Sequence, residues 1–174
     1  LFFTDKGKAY QIKMYDVPEG KRATRGKAAA NFLSVSSEEK ITSVLAIPKN
    51  YKDKSASLMM VTRGGVAKKV AAESFRDVRR SGIIAIKLHE ADELLSVCWV
   101  EKGDEIIMAT KHGQAIRFKE SDIREMGRGA AGVCGMKLKK GDVVVGACAI
   151  NTDKKDSTYL VMSYNGFGKK TKLK

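Results

Sequence analysis

Proline is almost absent from this chain, with two residues, Pro18 and Pro48, in 174. Backbone N–H groups are therefore available for sheet ladders nearly everywhere, and Pro-rich linkers are excluded. Both prolines are expected in loops. No apolar run approaches the roughly 20 residues that a membrane helix needs. Nothing in the sequence has the form of a signal peptide. Cys98, Cys134 and Cys148 are widely spaced, which excludes a disulfide framework or a paired-cysteine zinc site. They are expected to be reduced, buried thiols of a cytoplasmic protein. His89 and His112 stand apart, without metal-ligand spacing. Nucleophile elbows and Walker loops are missing as well. The expectation is no catalytic residue, no metal site and no cofactor. Aromatics make up 7% of the chain, too few for a base-stacking platform.

Acidic residues are outnumbered. Against 20 Asp and Glu stand 33 Lys and Arg, a net charge of +13. A chain this basic usually meets a polyanion, most often nucleic acid.

One phrase recurs through the sequence. Leu58 to Gly65, Ile106 to Gly113 and Leu160 to Gly166 each run from apolar residues through Thr or Ser to Gly three positions later, and Leu1 to Gly7 opens the chain the same way. The glycines Gly7, Gly65, Gly113 and Gly166 lie 58, 48 and 53 residues apart. That spacing suits a propeller blade and not a helical-pair or leucine-rich repeat. A second Gly follows at Gly26, Gly82 and Gly132, and six residues later an apolar Phe32, Leu88 or Leu138. Asp92 and Asp142 recur in register at turns, where their role is turn stabilisation. Met59, Met60, Met108 and Met162 recur in one strand and are expected in the core.

The apolar runs are short, rich in Val, Ile, Met and Phe, and bounded by turn residues, which reads as strands joined by tight turns. The stretches 71–80 and 119–126 each have room for a turn or two of helix in an equivalent slot. Gly127-Arg-Gly-Ala-Ala-Gly132 matches a dinucleotide fingerprint in letters only. The fingerprint must follow a strand and open a helix, and the other copies lack its first two glycines. The reading is one all-β domain over residues 1–174, a propeller-like disc of repeated four-stranded blades. Its repeat units are about 1–50, 57–100 and 104–150, with a partial one at 158–174. The chain does not begin with Met and reads as part of something longer.

In such a disc the inner strands must be apolar to pack, while the outer strand and its loops are free to carry charge. The register-matched basic residues are Arg22, Arg25 and Lys27; Lys68, Lys69, Arg76, Arg79 and Arg80; Arg117, Lys119, Arg124 and Arg128; and Lys169 and Lys170. Phosphate contact from these residues gives affinity for double-stranded DNA without sequence preference. A curved basic edge also bends the duplex, at a cost of about 1–6 kcal/mol for a 20–30 bp site. The alternative is a propeller scaffold that binds proteins.

Three stretches resemble the C-terminal domain of the DNA gyrase A subunit: Arg117 to Gly127, Gly127 to Leu138 and Val161 to Lys170. Gly7 to Lys27 resembles an early blade of it. The resemblance covers essentially the whole chain, in order. It implies a β-pinwheel, a disc whose blades exchange strands, with a basic rim that wraps DNA and so supports ATP-dependent negative supercoiling by a type IIA topoisomerase. It implies as partners the remainder of the gyrase A polypeptide and the gyrase B polypeptide, with ATP and Mg²⁺ handled by those parts. Neither a membrane nor a small-molecule substrate is expected, and the place in the cell is the cytoplasm, at the nucleoid. The family's Gln-Arg-Arg-Gly-Gly-Lys-Gly box does not occur here. Lys21 to Lys27 is only superficially similar. Its absence keeps open the equivalent domain of topoisomerase IV, and the number of copies falls short of the family's usual five or six blades.

Overall fold

A computed structural model describes residues 1–23, 25–47, 56–152 and 158–173. Pro18 sits in an exposed loop, and Pro48 lies outside the described residues. The described residues form thirteen strands and four short 3₁₀ turns. The stretches expected to hold a turn of helix hold one each, at Ala72–Phe75 and Glu120–Asp122. The chain is all-β.

In the first blade, β1 (Phe2–Thr4) and β2 (Lys8–Tyr10) form a hairpin, and β3 (Ile41–Val44) pairs with β1. The second blade repeats this with β4 (Ser57–Thr62), β5 (Val66–Ala71) and β7 (Leu94–Val100). The fourth strand of each blade comes from the next repeat. β6 (Ile83–Ile84) leaves the second repeat to pair with β2, setting Ala9 opposite Ile83 and Lys8 opposite Ile84. β10 (Val133–Cys134) leaves the third repeat to pair with β5, setting Ala67 opposite Val133. The sheet orders are thus β3-β1-β2-β6 and β10-β5-β4-β7. This exchange is the β-pinwheel arrangement.

The third blade has three strands, in the order β11-β8-β9, built from β8 (Glu105–Thr110), β9 (Ala115–Lys119) and β11 (Val144–Ile150). The hairpin of β12 (Thr158–Met162) and β13 (Gly168–Lys172) follows as a two-stranded sheet. The repeats predict uniform four-stranded blades. Two blades meet that expectation, because an outer strand needs a donor one repeat further on. Residues 25–28 occupy the donor slot of the first repeat and form no strand. No earlier blade is present among the described residues to receive them.

The inner strands hold the blades together. β7 packs against β3 on one side and β11 on the other. Val97 N–H donates to Ser43 Oγ at 2.9 Å, and Ser96 Oγ–H donates to the Ala147 carbonyl at 3.3 Å. The core lies in the seams. Phe3, Leu58, Met60, Val70, Phe75, Ile86 and Leu94 fill the first, where Phe3 and Phe75 meet edge-on with ring centroids 5.7 Å apart. Met59, Val61, Ala67, Ile106, Met108 and Val144 fill the second. β4 lies between two blades and is buried along its whole length. Its apolar run is therefore continuous where a one-faced strand would alternate.

Two sequence expectations fail on burial. Met162, expected in the core, is 63% exposed, because neither core cluster reaches the β12–β13 hairpin. Of the cysteines expected to be buried, Cys134 and Cys148 are exposed and Cys98 is half-buried. Cys134 rides on the outer strand β10. Cys148 alternates with Ala147 and Ala149, which face the seam. Burial pushes the Cys98 thiol up to about 11, so it stays protonated and unreactive at neutral pH. The recurring aspartates do hold turns. Asp92 Oδ1 accepts from the N–H groups of Gly64 and Glu93, both at 2.8 Å. Asp142 Oδ1 accepts from the N–H groups of His112 at 3.1 Å and Val143 at 2.9 Å.

Candidate nucleic-acid interface

Strand exchange dictates where the basic residues go. Each repeat runs out along its own second strand, turns at a 3₁₀ turn, and then crosses to the outer edge of the preceding blade. That crossing segment turns a few apolar residues, Val78 in the second repeat and Ile123 and Met126 in the third, toward a seam and leaves its other side chains outward, where charge is tolerated. In the second repeat it carries Arg76, Arg79 and Arg80, all exposed, immediately before β6. In the third it carries Arg124, exposed, and Arg128, half-buried, before β10. Arg22, Arg25 and Lys27 lie exposed on the matching segment of the first repeat. Lys169 and Lys170 are exposed on β13.

Several of these cations are already engaged. Arg76 lies 3.7 Å from Glu73, with both side chains 62% exposed, a contact that water largely screens. Arg117, on β9, is paired with Glu105 on β8. Lys119, at the end of β9, is exposed. Lys69 Nζ donates to the Glu120 carboxylate at 2.5 Å and to the Glu120 carbonyl at 3.1 Å. Both partners are nearly buried, so Lys69 fastens the 3₁₀ turn of the third repeat to β5.

Lys68 departs furthest from expectation. The repeat register places it on the rim, yet it is fully buried. Its ammonium donates to the Ala85 carbonyl at 2.8 Å and to the Arg128 carbonyl. Alternation along β5 turns Lys69 one way and Lys68 the other. No pattern in a Lys-Lys pair reveals which of the two goes inward.

Sequence reasoning passes over two further register-matched cations. Lys87 and Lys137 each stand five residues after the second glycine, just beyond β6 and β10, and both are exposed. The repeat period is the signal that identifies them. At the first seam, Gln11 Oε1 accepts from Val78 N–H at 3.3 Å. At the second seam the matching amide, Met126 N–H, donates directly to the Lys69 carbonyl at 2.8 Å. A groove of about 350 Å³ lies beside this bridge, lined partly by Gln11, Lys13, Asp16 and Arg80.

Electrostatics near the first blade are local. Glu39 accepts from Lys8 Nζ at 2.8 Å and from Tyr10 Oη at 3.0 Å. Burial pushes the Glu39 carboxyl up, but these hydrogen bonds outweigh it and hold the group below its usual range. Among the described residues, no cluster of three His, Cys, Asp or Glu side chains is placed to hold a metal ion, and no helix is long and apolar enough to cross a membrane.

Known proteins share this architecture. The family described as DNA gyrase C-terminal domain, beta-propeller, matches residues 1–48, 56–97 and 104–151, which follow the three blade repeats. The DNA gyrase A subunit of Lawsonia intracellularis is 41% identical over 174 residues, covering 99% of this chain and 21% of that protein. Its counterpart in Haloquadratum walsbyi is 39% identical over 175 residues, covering 99% and 20%. The chain thus spans about a fifth of the length of these relatives. Among solved structures, a C-terminal domain of DNA topoisomerase IV superposes with a TM-score of 0.84 at 31% identity, covering 99% of this chain and 52% of that one. A DNA gyrase A C-terminal domain superposes with a TM-score of 0.77 at 30% identity, covering 99% and 53%. Strand exchange between blades, the seam-filling repeats and these matches together assign the chain to the DNA gyrase C-terminal domain family.

Proposed function

We propose that this chain is a non-catalytic module that binds duplex DNA along its outer rim, without sequence preference, and bends the duplex around the disc. The observation that carries the reading is the placement of Arg79, Arg80, Arg124 and Lys119. All four are exposed; Arg79, Arg80 and Arg124 fall on the crossing segments of successive repeats, and Lys119 ends β9, the edge strand of the third sheet. Lys87 and Lys137 add to the same set. Arg22, Arg25, Lys27, Arg76, Arg128, Lys169 and Lys170 extend it, whereas Lys68 is withdrawn and Lys69 and Arg117 serve internal pairs. Phosphates meeting such side chains release counterions, which supplies the affinity. Bending the duplex costs about 1–6 kcal/mol for a 20–30 bp site, which several contacts offset.

In the parent protein the bound segment is presented to the parts that cleave and pass DNA. ATP and Mg²⁺ act there, together with the gyrase B polypeptide. The setting is the cytoplasm, at the nucleoid. Replacing Arg79, Arg80, Lys119 and Arg124 by Ala tests the reading. At about −0.9 per phosphate contact, the slope of log K against log salt should flatten by up to about 3–4 while the thermal midpoint stays put. An unchanged slope in a folded variant refutes it, and salt-insensitive binding would instead favour a protein-binding scaffold.

The higher TM-score with the topoisomerase IV domain favours a second reading, in which the parent decatenates and relaxes DNA. The full-length protein, assayed on relaxed circular DNA with ATP, separates the two. Negative supercoils support the gyrase reading, and their absence alongside decatenation supports the other.

A further inference from the structure

Lys68 is a cation with no carboxylate in hydrogen-bond reach among the described residues, and it is completely buried. Such a group is costly unless its donors are well matched. Its two acceptors belong to different repeats. Ala85 directly follows β6, the strand that the second repeat gives to the first blade. Arg128 stands in the turn that leads to β10, the strand that the third repeat gives to the second blade. The ammonium thus sits where two successive crossing segments pass each other. A direct bond joins the same segments, from Lys87 N–H to the Ala130 carbonyl at 3.2 Å. Within the turn, Ala130 N–H donates to the Gly127 carbonyl at 3.1 Å. The charged group that faces Lys68 is Arg128; Lys69 and Glu120 pair with each other away from it.

We propose that Lys68 is a positioning residue for the basic rim: by holding the Arg128 carbonyl and the Ala85 carbonyl together, it fixes the 127–130 turn and aims the Arg128 guanidinium at a DNA phosphate. This rests on the DNA-rim reading. Lys68 itself touches no DNA. Burial, with the Arg128 charge adding to it, pushes the Lys68 ammonium down to about 8.

The test is a double-mutant cycle on duplex DNA at fixed salt. Lys68→Met keeps the length and apolar stem while removing the donors. It should weaken binding about tenfold and flatten the salt slope by about 0.9, the signature of one lost phosphate contact. Arg128→Ala should do the same, and the double variant should bind no worse than Arg128→Ala alone. A purely structural lysine gives losses that add, and that result overturns the proposal. So does wild-type binding by a folded Lys68→Met. If wild-type protein fails to bind duplex DNA, the rim reading itself fails, which is a distinguishable outcome. Should Lys68→Met not fold, amide exchange on the unaltered chain decides. The Ala130 amide should exchange within about tenfold of the β5 amides before DNA is added; exchange at the rate of an open loop overturns the proposal.

Discussion

Two glycines at one repeat position give a measure of what strand exchange contributes. Gly65 and Gly113 each close the turn after a blade's first strand, with φ of +85° and +77°. Replacing either by Ala forces an L-residue into the left-handed region, at about 1–2 kcal/mol. There the equivalence ends. A Cβ on Gly65 would lie 2.5 Å from the Met136 carbonyl oxygen, whereas one on Gly113 meets nothing within 4 Å. The Gly65 carbonyl also accepts from the N–H groups of Gly135 at 2.9 Å and Met136 at 3.0 Å, so moving the turn breaks bonds to the donated segment. Two backbone hydrogen bonds at about 0.5–1.5 kcal/mol each add about 1–3 kcal/mol to the Gly65→Ala cost. Urea unfolding of the two variants, side by side, reads the difference. Amide exchange should localise it to Val133 and Cys134 on β10. Equal destabilisation within about 0.5 kcal/mol, the margin set by independent sites, or no loosening of β10, would show that the donated strand adds nothing to the second blade.

Other outcomes follow from the same contacts. Lys68 has a folded-state value of about 8 against an ordinary 10.5, so between those limits the unfolded chain binds more protons. Stability should therefore rise with pH across that window, by up to about 3 kcal/mol, and Lys68→Met should lack the rise in pH-dependent urea titrations. Asp92→Ala leaves the Gly64 and Glu93 amides without their acceptor and should cost about 1–2 kcal/mol in urea unfolding, with Asn restoring part of it. Phe75→Ala empties the first seam beside Phe3 and should cost about 3–5 kcal/mol by denaturation, whereas Phe167→Ala, on a side chain 79% exposed, should be nearly neutral.

The strands and their grouping are legible in the sequence because period and composition are local properties. Ile106 and Met108 alternate inward with Ile107 and Ala109 half-buried, as a strand pattern predicts. The single 3₁₀ turns at Ala72–Phe75 and Glu120–Asp122 match the short helical stretches expected there. Strand exchange is legible only through family resemblance. β6 and β10 are two residues long, far below any periodicity signal, and their partners lie in another repeat. Charge location is legible in outline and not in detail. Lys68 and Lys69 are indistinguishable as letters, yet one is a buried clamp and the other an ion-pair partner. Arg117 reads as a rim cation until Glu105, facing Lys119 across the hairpin and within reach of Arg117, is seen to pair with it. Lys87 and Lys137 escape notice because they follow each donated strand, whereas the recurring Arg and Gly mark the loop before it.

The most direct test of the central claim is binding to duplexes of increasing length, from about 10 bp, shorter than a 20–30 bp bent site, to several times that site's length, at several salt concentrations, with fluorophores on the two DNA ends. If the rim binds and bends DNA, affinity climbs with length and the ends approach on binding, both effects fading as salt rises. Affinity that is flat with length, with end-to-end distance unchanged, contradicts the account.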